Sequence, residues 1–283
     1  MPLPQTTLHT MTRNDLNLAV EWAAGEGWNP GQHDADAFFA ADPEGFLLER
    51  LDGEPVAVIS AVKYGERFGF IGFYIVKPAF RGRGLGLQIW NAAMERLAGR
   101  TIGLDGVVEQ QHNYRKSGFA LAWNNARYQG VGGGSAQIDA AIVPLASVSM
   151  DELLAYDRPF FPDDRCAFLQ AWLAMPGVVA LGILEADRLA GFGVLRACRE
   201  GFKVGPMFAD SPAQVARLLA ALRTHVPQGE PLFLDVPLAN PEAVALADQL
   251  GMKMVFETAR MYTPAEPAMP LPRLYGVTSY ELG

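Results

Sequence analysis

The chain has 283 residues, half of them hydrophobic and 19% charged, with a formal net charge of −8. That length fits one large domain or two ordinary ones around packed cores, and the acidic balance argues against nucleic acid as a partner while suiting cationic ligands. The only cysteines, Cys166 and Cys198, form no C-x-x-C, and the four histidines show no metal-ligand spacing. No metal is therefore expected, and a reducing compartment is. Residues 1–10 lack signal-peptide character and no apolar run reaches about 18 residues, so a cytoplasmic protein without a membrane span is expected.

In chain order, Thr7–Thr10 reads as a first strand. Thr12 and Asp15 form a helix-start signature ahead of Leu16, Ala19, Val20 and Ala23, which share one helical face. Gly25 and Gly27 end that helix, and a short helix follows over Asp34–Ala40. Strands over Gly45–Leu51 and Val56–Tyr64 are joined by the hairpin signal Asp52-Gly53. Phe68–Val76 is the next strand. The helix from Leu85 turns Leu85, Ile89, Ala92, Ala93 and Leu97 inward. A strand over Thr101–Val107, a short helix near His112–Lys116 and a strand over Phe119–Tyr128 complete a first module, residues 1–130. Glycine-rich residues 131–137 read as a linker.

The order then repeats over residues 138–263. Gly118-Phe119 reappears as Gly251-Met252, Ala126-Arg127 as Ala259-Arg260, and Gly72–Ile75 as Gly205–Phe208, all at an offset of 133. A shared offset at three places indicates a duplicated module. Pro264, Pro267, Pro270 and Pro272 predict an extended connector within residues 264–283, after which Tyr275–Tyr280 is expected as a strand that packs on either module.

The most informative segment is Arg81-Gly82-Arg83-Gly84-Leu85-Gly86, between the strand closed by Lys77-Pro78 and the helix from Leu85. Strand, glycine-rich turn and helix start let several backbone N–H groups converge on one anion. A P-loop requires a Gly-Lys-Ser/Thr that is missing, and a dinucleotide fingerprint requires a glycine where Leu87 stands. Arg-x-x-Gly-x-Gly, which suits a pyrophosphate, is filled by Arg81, Gly84 and Gly86. With Val76-Lys77-Pro78-Ala79-Phe80 before it, and Tyr114-Arg115-Lys116-Ser117-Gly118-Phe119 at the proper distance after it, the chain resembles the GNAT superfamily of acyl-CoA-dependent N-acetyltransferases, strongly over residues 7–130.

The resemblance implies an α/β fold of two tandem GNAT-like modules, each a mixed, mostly antiparallel sheet flanked by helices. It implies acetyl-CoA as cosubstrate, bound by Ile75, Val76, Arg81, Gly82, Arg83, Gly84, Leu85 and Gly86. It also implies direct transfer to a primary amine, with Tyr114 protonating the departing thiolate. The strand Phe68–Val76 carries no carboxylate, so the base stays open among Asp105, Glu109 and Glu26. Asp105 is the best placed, and a hydrogen-bonded strand residue is its other reading. Glu26, Trp28, His33 and Tyr74 are expected near the acceptor, with Trp22 in the same loop region. The second copy lacks the turn glycines, Gln214–Leu219 standing in their place, and has Ala247 opposite Tyr114, so it is expected to carry the fold without the chemistry. The acceptor is a small molecule or peptide, and the protein a monomer or homodimer. The rival reading is a non-enzymatic acyl-CoA sensor.

Overall fold

The structure, a computed structural model, describes residues 5–135 and 139–283. The first half runs β1 (Thr6–Thr10), α1 (Arg13–Gly25), α2 (Asp34–Ala41), β2 (Phe46–Leu51), β3 (Glu54–Tyr64), β4 (Phe68–Val76), α3 (Leu85–Arg96), β5 (Thr101–Val107), α4 (Gln111–Lys116) and β6 (Ala120–Val131). The second half repeats this order as β7 (Ile142–Pro144), α5 (Met150–Asp157), α6 (Cys166–Leu173), β8 (Val179–Glu185), β9 (Arg188–Ala197), β10 (Phe202–Ala209), α7 (Pro212–Arg223), β11 (Pro231–Pro237), α8 (Pro241–Gln249) and β12 (Lys253–Thr263). A short β13 (Leu274–Gly276) follows. Local signals act as their chemistry dictates. Thr12 and Asp15 cap α1 reciprocally, and Asp52 and Gly53 take the positive φ values of a tight hairpin.

The two halves do not form two separate sheets. Their strands make one sheet in the order β1-β2-β3-β4-β5-β12-β6-β11-β10-β9-β8-β7, with β13 added to β10. The last strand of each half is exchanged: β12 pairs with β5, and β6 pairs with β11. Each exchanged strand carries a buried arginine to a cross-strand aspartate. Arg260 faces Asp105, and Arg127 faces Asp235 at 2.6 and 2.8 Å. One apolar cluster runs through both halves, with Phe38 of α2 packed on Phe168 and Trp172 of α6.

Three expectations change. Gly130 and Val131 belong to β6, while Gly132 and Gly133 donate to the carbonyls of Glu230 and Arg223, so this glycine run docks on the second half. Residues 136–138 of the expected linker lie outside the described residues. The proline connector contains a single 3-10 turn, Leu271–Arg273. The final strand spans only Leu274–Gly276, and Val277–Leu282 continues as buried, irregular chain through the centre of the molecule. It thus contacts both modules. Cys166 and Cys198 are free thiols.

Candidate active site

The strands β4 and β5 run parallel, but they pair only from Phe68 opposite Thr101 to Ile71 opposite Leu104. Beyond that they diverge, and β4 bulges: Ser60 faces Gly72, whereas Val58 faces Ile75, and Phe73 sits at φ 48°. A left-handed phenylalanine in a strand is costly and persists only where packing fixes it. Here Phe73 is buried edge-on against Phe38 at 5.6 Å. Lys77 N donates to Val56 O on the β3 side. The alternation of strand hydrogen bonding therefore turns the Val76 N–H toward the divergence.

A cavity of about 530 Å³ fills this wedge. Its mouth is the glycine turn. Gly82 and Gly84 adopt φ 75° and 84°, which an L side chain resists. Among the described residues, no acceptor engages the backbone N–H groups of residues 82–86. These donors and the start of α3 form a cradle that fits a pyrophosphate. Gly86 has a different reason to be glycine, because a Cβ there would lie 2.7 Å from the Tyr74 hydroxyl oxygen. The Arg81 Nε donates to Val76 O at 2.8 Å, and its Nη2 reaches Glu26 at 2.5 Å across the mouth. Arg83 lies over Phe80 and Leu85 is buried in the helix–sheet packing; neither lines the cavity.

Tyr114, on α4, enters the wedge over Gly106, where a Cβ would collide with its ring. Trp90 packs beside it at 5.5 Å. Burial raises the phenol well above its ordinary value, so Tyr114 holds its proton at neutral pH and is a competent donor. Tyr74, Ile75, Val76, Trp28, Glu26 and Asp105 also line the cavity.

Two expected residues lie elsewhere. Glu109 is exposed on the turn after β5. His33 is exposed because its loop docks on the second half: Gln32 N donates to Ala197 O, and Gln32 Nε2 to Cys198 O. Trp22 packs at the edge of the core beneath Lys77. Asp105 is present but occupied. Its side chain is 0% exposed, and it accepts from Arg260 Nε at 2.8 Å, Arg260 Nη2 at 2.6 Å and Asn125 Nδ2 at 2.8 Å. Burial pushes its carboxyl up, against the pull of Arg260.

The inner end of the cavity is built by residues that sequence patterns did not bring to the site: Phe256 and Thr258 on β12, and Tyr280 and Glu281 in the final segment. Only the strand exchange and the path of that segment bring them here. The exchange carries one legible signal, the Ala126-Arg127 and Ala259-Arg260 repeat. The placement of residues 280 and 281 carries none.

The second half has the same wedge, and it is filled. β10 bulges between Val204 and Met207 against β9, as β4 does at Gly72. β10 pairs with β11 only from Phe202 to Val204. Into this divergence runs β13, paired to β10 at Met207 and Phe208, and Val277 N then donates to Asp235 O of β11. The position equivalent to the glycine cradle is the Ser211-capped, proline-started helix α7.

Comparison with known proteins agrees with this geometry. The acetyltransferase (GNAT) family model matches residues 13–119, and an acetyltransferase (GNAT) domain model matches residues 153–276. A relative named holothin acyltransferase, from Pseudoalteromonas sp. (strain SANK 73390), is 31% identical over 271 residues, covering 95% of this chain and 92% of its own. The chain belongs to the GNAT acetyltransferase family. Solved GNAT-type folds agree. A Pyrococcus horikoshii protein superposes with a TM-score of 0.84 at 22% identity, covering 100% of this chain and 98% of its own. A tandem GNAT protein from the clavulanic acid biosynthesis pathway gives 0.63 at 13% identity, covering 93% and 100%. This chain is thus a two-module GNAT protein of the acyltransferase type. No group of three or more potential metal ligands occurs among the described residues, and no helix there is long and apolar enough to cross a membrane.

Proposed function

We propose that this GNAT protein transfers the acetyl group of acetyl-CoA directly to the primary amine of a small-molecule acceptor, at one site in the first wedge. The observation that carries the reading is the continuity of one cavity, from the free N–H cradle at residues 82–86, past Tyr114, to an aromatic inner end. The cosubstrate would supply an activated acyl carbon. The cradle and Arg81 would hold its pyrophosphate, and Val76 N–H would lie along the open edge of β4 where charge develops on the acyl oxygen. Tyr114 would give its proton to the leaving sulfur. A volume of about 530 Å³ is that of a small-molecule site, and Trp28, Phe73, Phe256 and Tyr280 wall it with aromatic surface. A relative named holothin acyltransferase supports acyl transfer as the reaction class. Free thiols suit the cytoplasm, and the internal pairing of modules stands in for a dimer. The test is a CoA-release screen over small primary amines, amino acids and peptides. Turnover of small amines, lost on Gly84→Val, is expected; acetyl-CoA binding without release for any acceptor would overturn the reading.

A further inference from the structure

The reading above still lacks a proton acceptor, since β4 carries no carboxylate and Asp105 is engaged on both oxygens by Arg260 and Asn125. The duplication explains Asp105. Its counterpart in the filled wedge, Asp235, holds Arg127 through the same fork, so this pair recurs where no acyl donor can enter. A feature common to both modules fastens the exchanged strands and is not peculiar to the reaction.

Glu281 has no such counterpart. After β13 has filled the second wedge, the final segment turns across the sheet to the first. Thr278 Oγ1 accepts from Arg165 Nη1, Tyr64 OH donates to Leu282 O, and a Cβ on Gly72 would strike the Glu281 carbonyl oxygen. The segment is thus pinned on both sides of residue 281 and pressed against the β4 bulge, beside the diverging edge. The Glu281 side chain is buried, lines the cavity and, among the described residues, has no hydrogen-bond donor and no ion-pair partner. Next to it the buried Tyr280 hydroxyl and Thr258 Oγ1, on two other cavity-lining residues, are also without partners. A carboxylate without a protein partner at the inner end of an aromatic cavity forms a receptor for a cationic nitrogen.

Resting on the acetyltransferase reading, we infer that Glu281 is the catalytic carboxylate of this enzyme: it receives the acceptor's ammonium and takes its proton, with Tyr280 and Thr258 walling the cavity beside it. Glu281 removes one proton and frees the nitrogen lone pair. That pair forms the C–N bond while the C–S pair leaves with sulfur. Tyr114 gives its proton to the sulfur, and the nitrogen's remaining excess proton returns to the Tyr114 oxygen. Glu281 then releases its proton to solvent, so the balance is one amide, one thiol and one proton. Burial raises the Glu281 carboxyl, outweighing the pull of Lys203 on β10, Arg127 on β6 and Arg196 on β9, and the nearby Asp34 on α2 adds to the rise. A raised carboxyl is the better base near neutral pH.

The experiment compares wild type, Glu281→Gln and Glu281→Asp in acetyl-CoA binding, melting temperature and turnover of two probe classes, alkylamines (protonated at neutral pH) and arylamines (unprotonated there). Glu281→Gln should keep acetyl-CoA affinity and lose roughly 100-fold or more in kcat on alkylamines. The loss on arylamines should be at least tenfold smaller, and Glu281→Asp should recover part of the activity. The melting temperature of Glu281→Gln should match or exceed that of wild type at pH 8. Because burial favours the protonated native form, any excess should vanish as pH falls through the carboxylate range. Equal losses on both amine classes, a lower melting temperature for Glu281→Gln, or unchanged turnover would each overturn the inference while leaving the acetyltransferase reading intact. Failure of wild type to acylate any amine would overturn that reading, and this inference with it.

Discussion

Gly106→Ala offers a sharp test of the acid role proposed for Tyr114, because the added Cβ is aimed at the Tyr114 ring. A Cβ at residue 106 would lie 2.8 Å from Tyr114 Cδ2, and nearer still to Cε2. Ordinary carbon–carbon contact begins near 3.5 Å, so the ring must retreat by roughly 1 Å. Trp90 closes the far side at 5.5 Å between ring centres, which leaves displacement of the hydroxyl as the main relief. A misplacement of about 1 Å at a reacting group costs on the order of 100-fold, and overpacking adds about 1–3 kcal/mol of destabilisation. Stopped-time CoA release with a turned-over amine should therefore show kcat down by roughly 30- to 300-fold, with acetyl-CoA affinity little changed in calorimetry. Tyr114→Phe alone should lower kcat by roughly 10- to 1,000-fold. The decisive comparison is the double variant. If the alanine acts through the hydroxyl, adding it to Tyr114→Phe should cost less than about threefold more. A full additional loss in the double variant, or a normal kcat for Gly106→Ala, would refute the acid role.

Gly84→Val should weaken acetyl-CoA by at least about 100-fold, since it forces a β-branched residue to φ 84° and disorders donors whose charge-assisted bonds are worth about 1.5–3 kcal/mol each; titration calorimetry on the folded variant reads this directly. Acetyl-CoA should saturate at one equivalent per chain, because β13 occupies the second wedge; two equivalents would contradict that. Arg260→Ala and Arg127→Ala should each destabilise by about 3–5 kcal/mol, leaving a buried aspartate uncompensated; equal denaturant midpoints for variant and wild type would show that these pairs do not fasten the exchanged strands.

The sequence disclosed the parts whose causes are local. The Arg81–Gly86 turn lies between a strand and an amphipathic helix, and its conformational demands are met by glycines at 82 and 84. Tyr114 stands at a fixed spacing from that turn. The duplication was visible too, since Ala126-Arg127 and Ala259-Arg260 are separated by the same interval as the bulges. Pairing partners were not legible. Nothing local to β6 or β12 says which edge strand it will meet, because period-two alternation serves either neighbour equally. One clue was available: Asp105 and Asp235 also recur in the two copies, at an interval of 130 against 133 for the arginines, and an acid–base pair recurring in both copies indicates a structural contact. Glu109, a candidate base ranked after Asp105, falls on an exposed turn. Glu281 was hidden because its path is irregular and follows four prolines, a pattern shared with ordinary solvated connectors.

A second module that lacks the glycine cradle still has work to do in this architecture. A sheet ending at β5 would expose an unpaired edge beside the acyl wedge, which invites association with other chains. β12 covers that edge and brings Phe256 and Thr258 to the cavity, while β6 makes the reciprocal cover on β11. Neither half retains its own sixth strand, so neither completes its sheet alone. Filling the second wedge has a further consequence. Because β13 is held between β10 and β11, residues 277–281 leave from a fixed origin, and the Arg165–Thr278 and Tyr64–Leu282 contacts fix the far end. The filling of one module's wedge thereby becomes the means of positioning a buried carboxylate in the other. The first wedge takes its glycine cradle and Tyr114 from the first half, and Phe256, Thr258, Tyr280 and Glu281 from the second. Acceptor choice should accordingly follow changes at residues 256, 258, 280 and 281, while acyl-donor affinity should follow changes at residues 74–86.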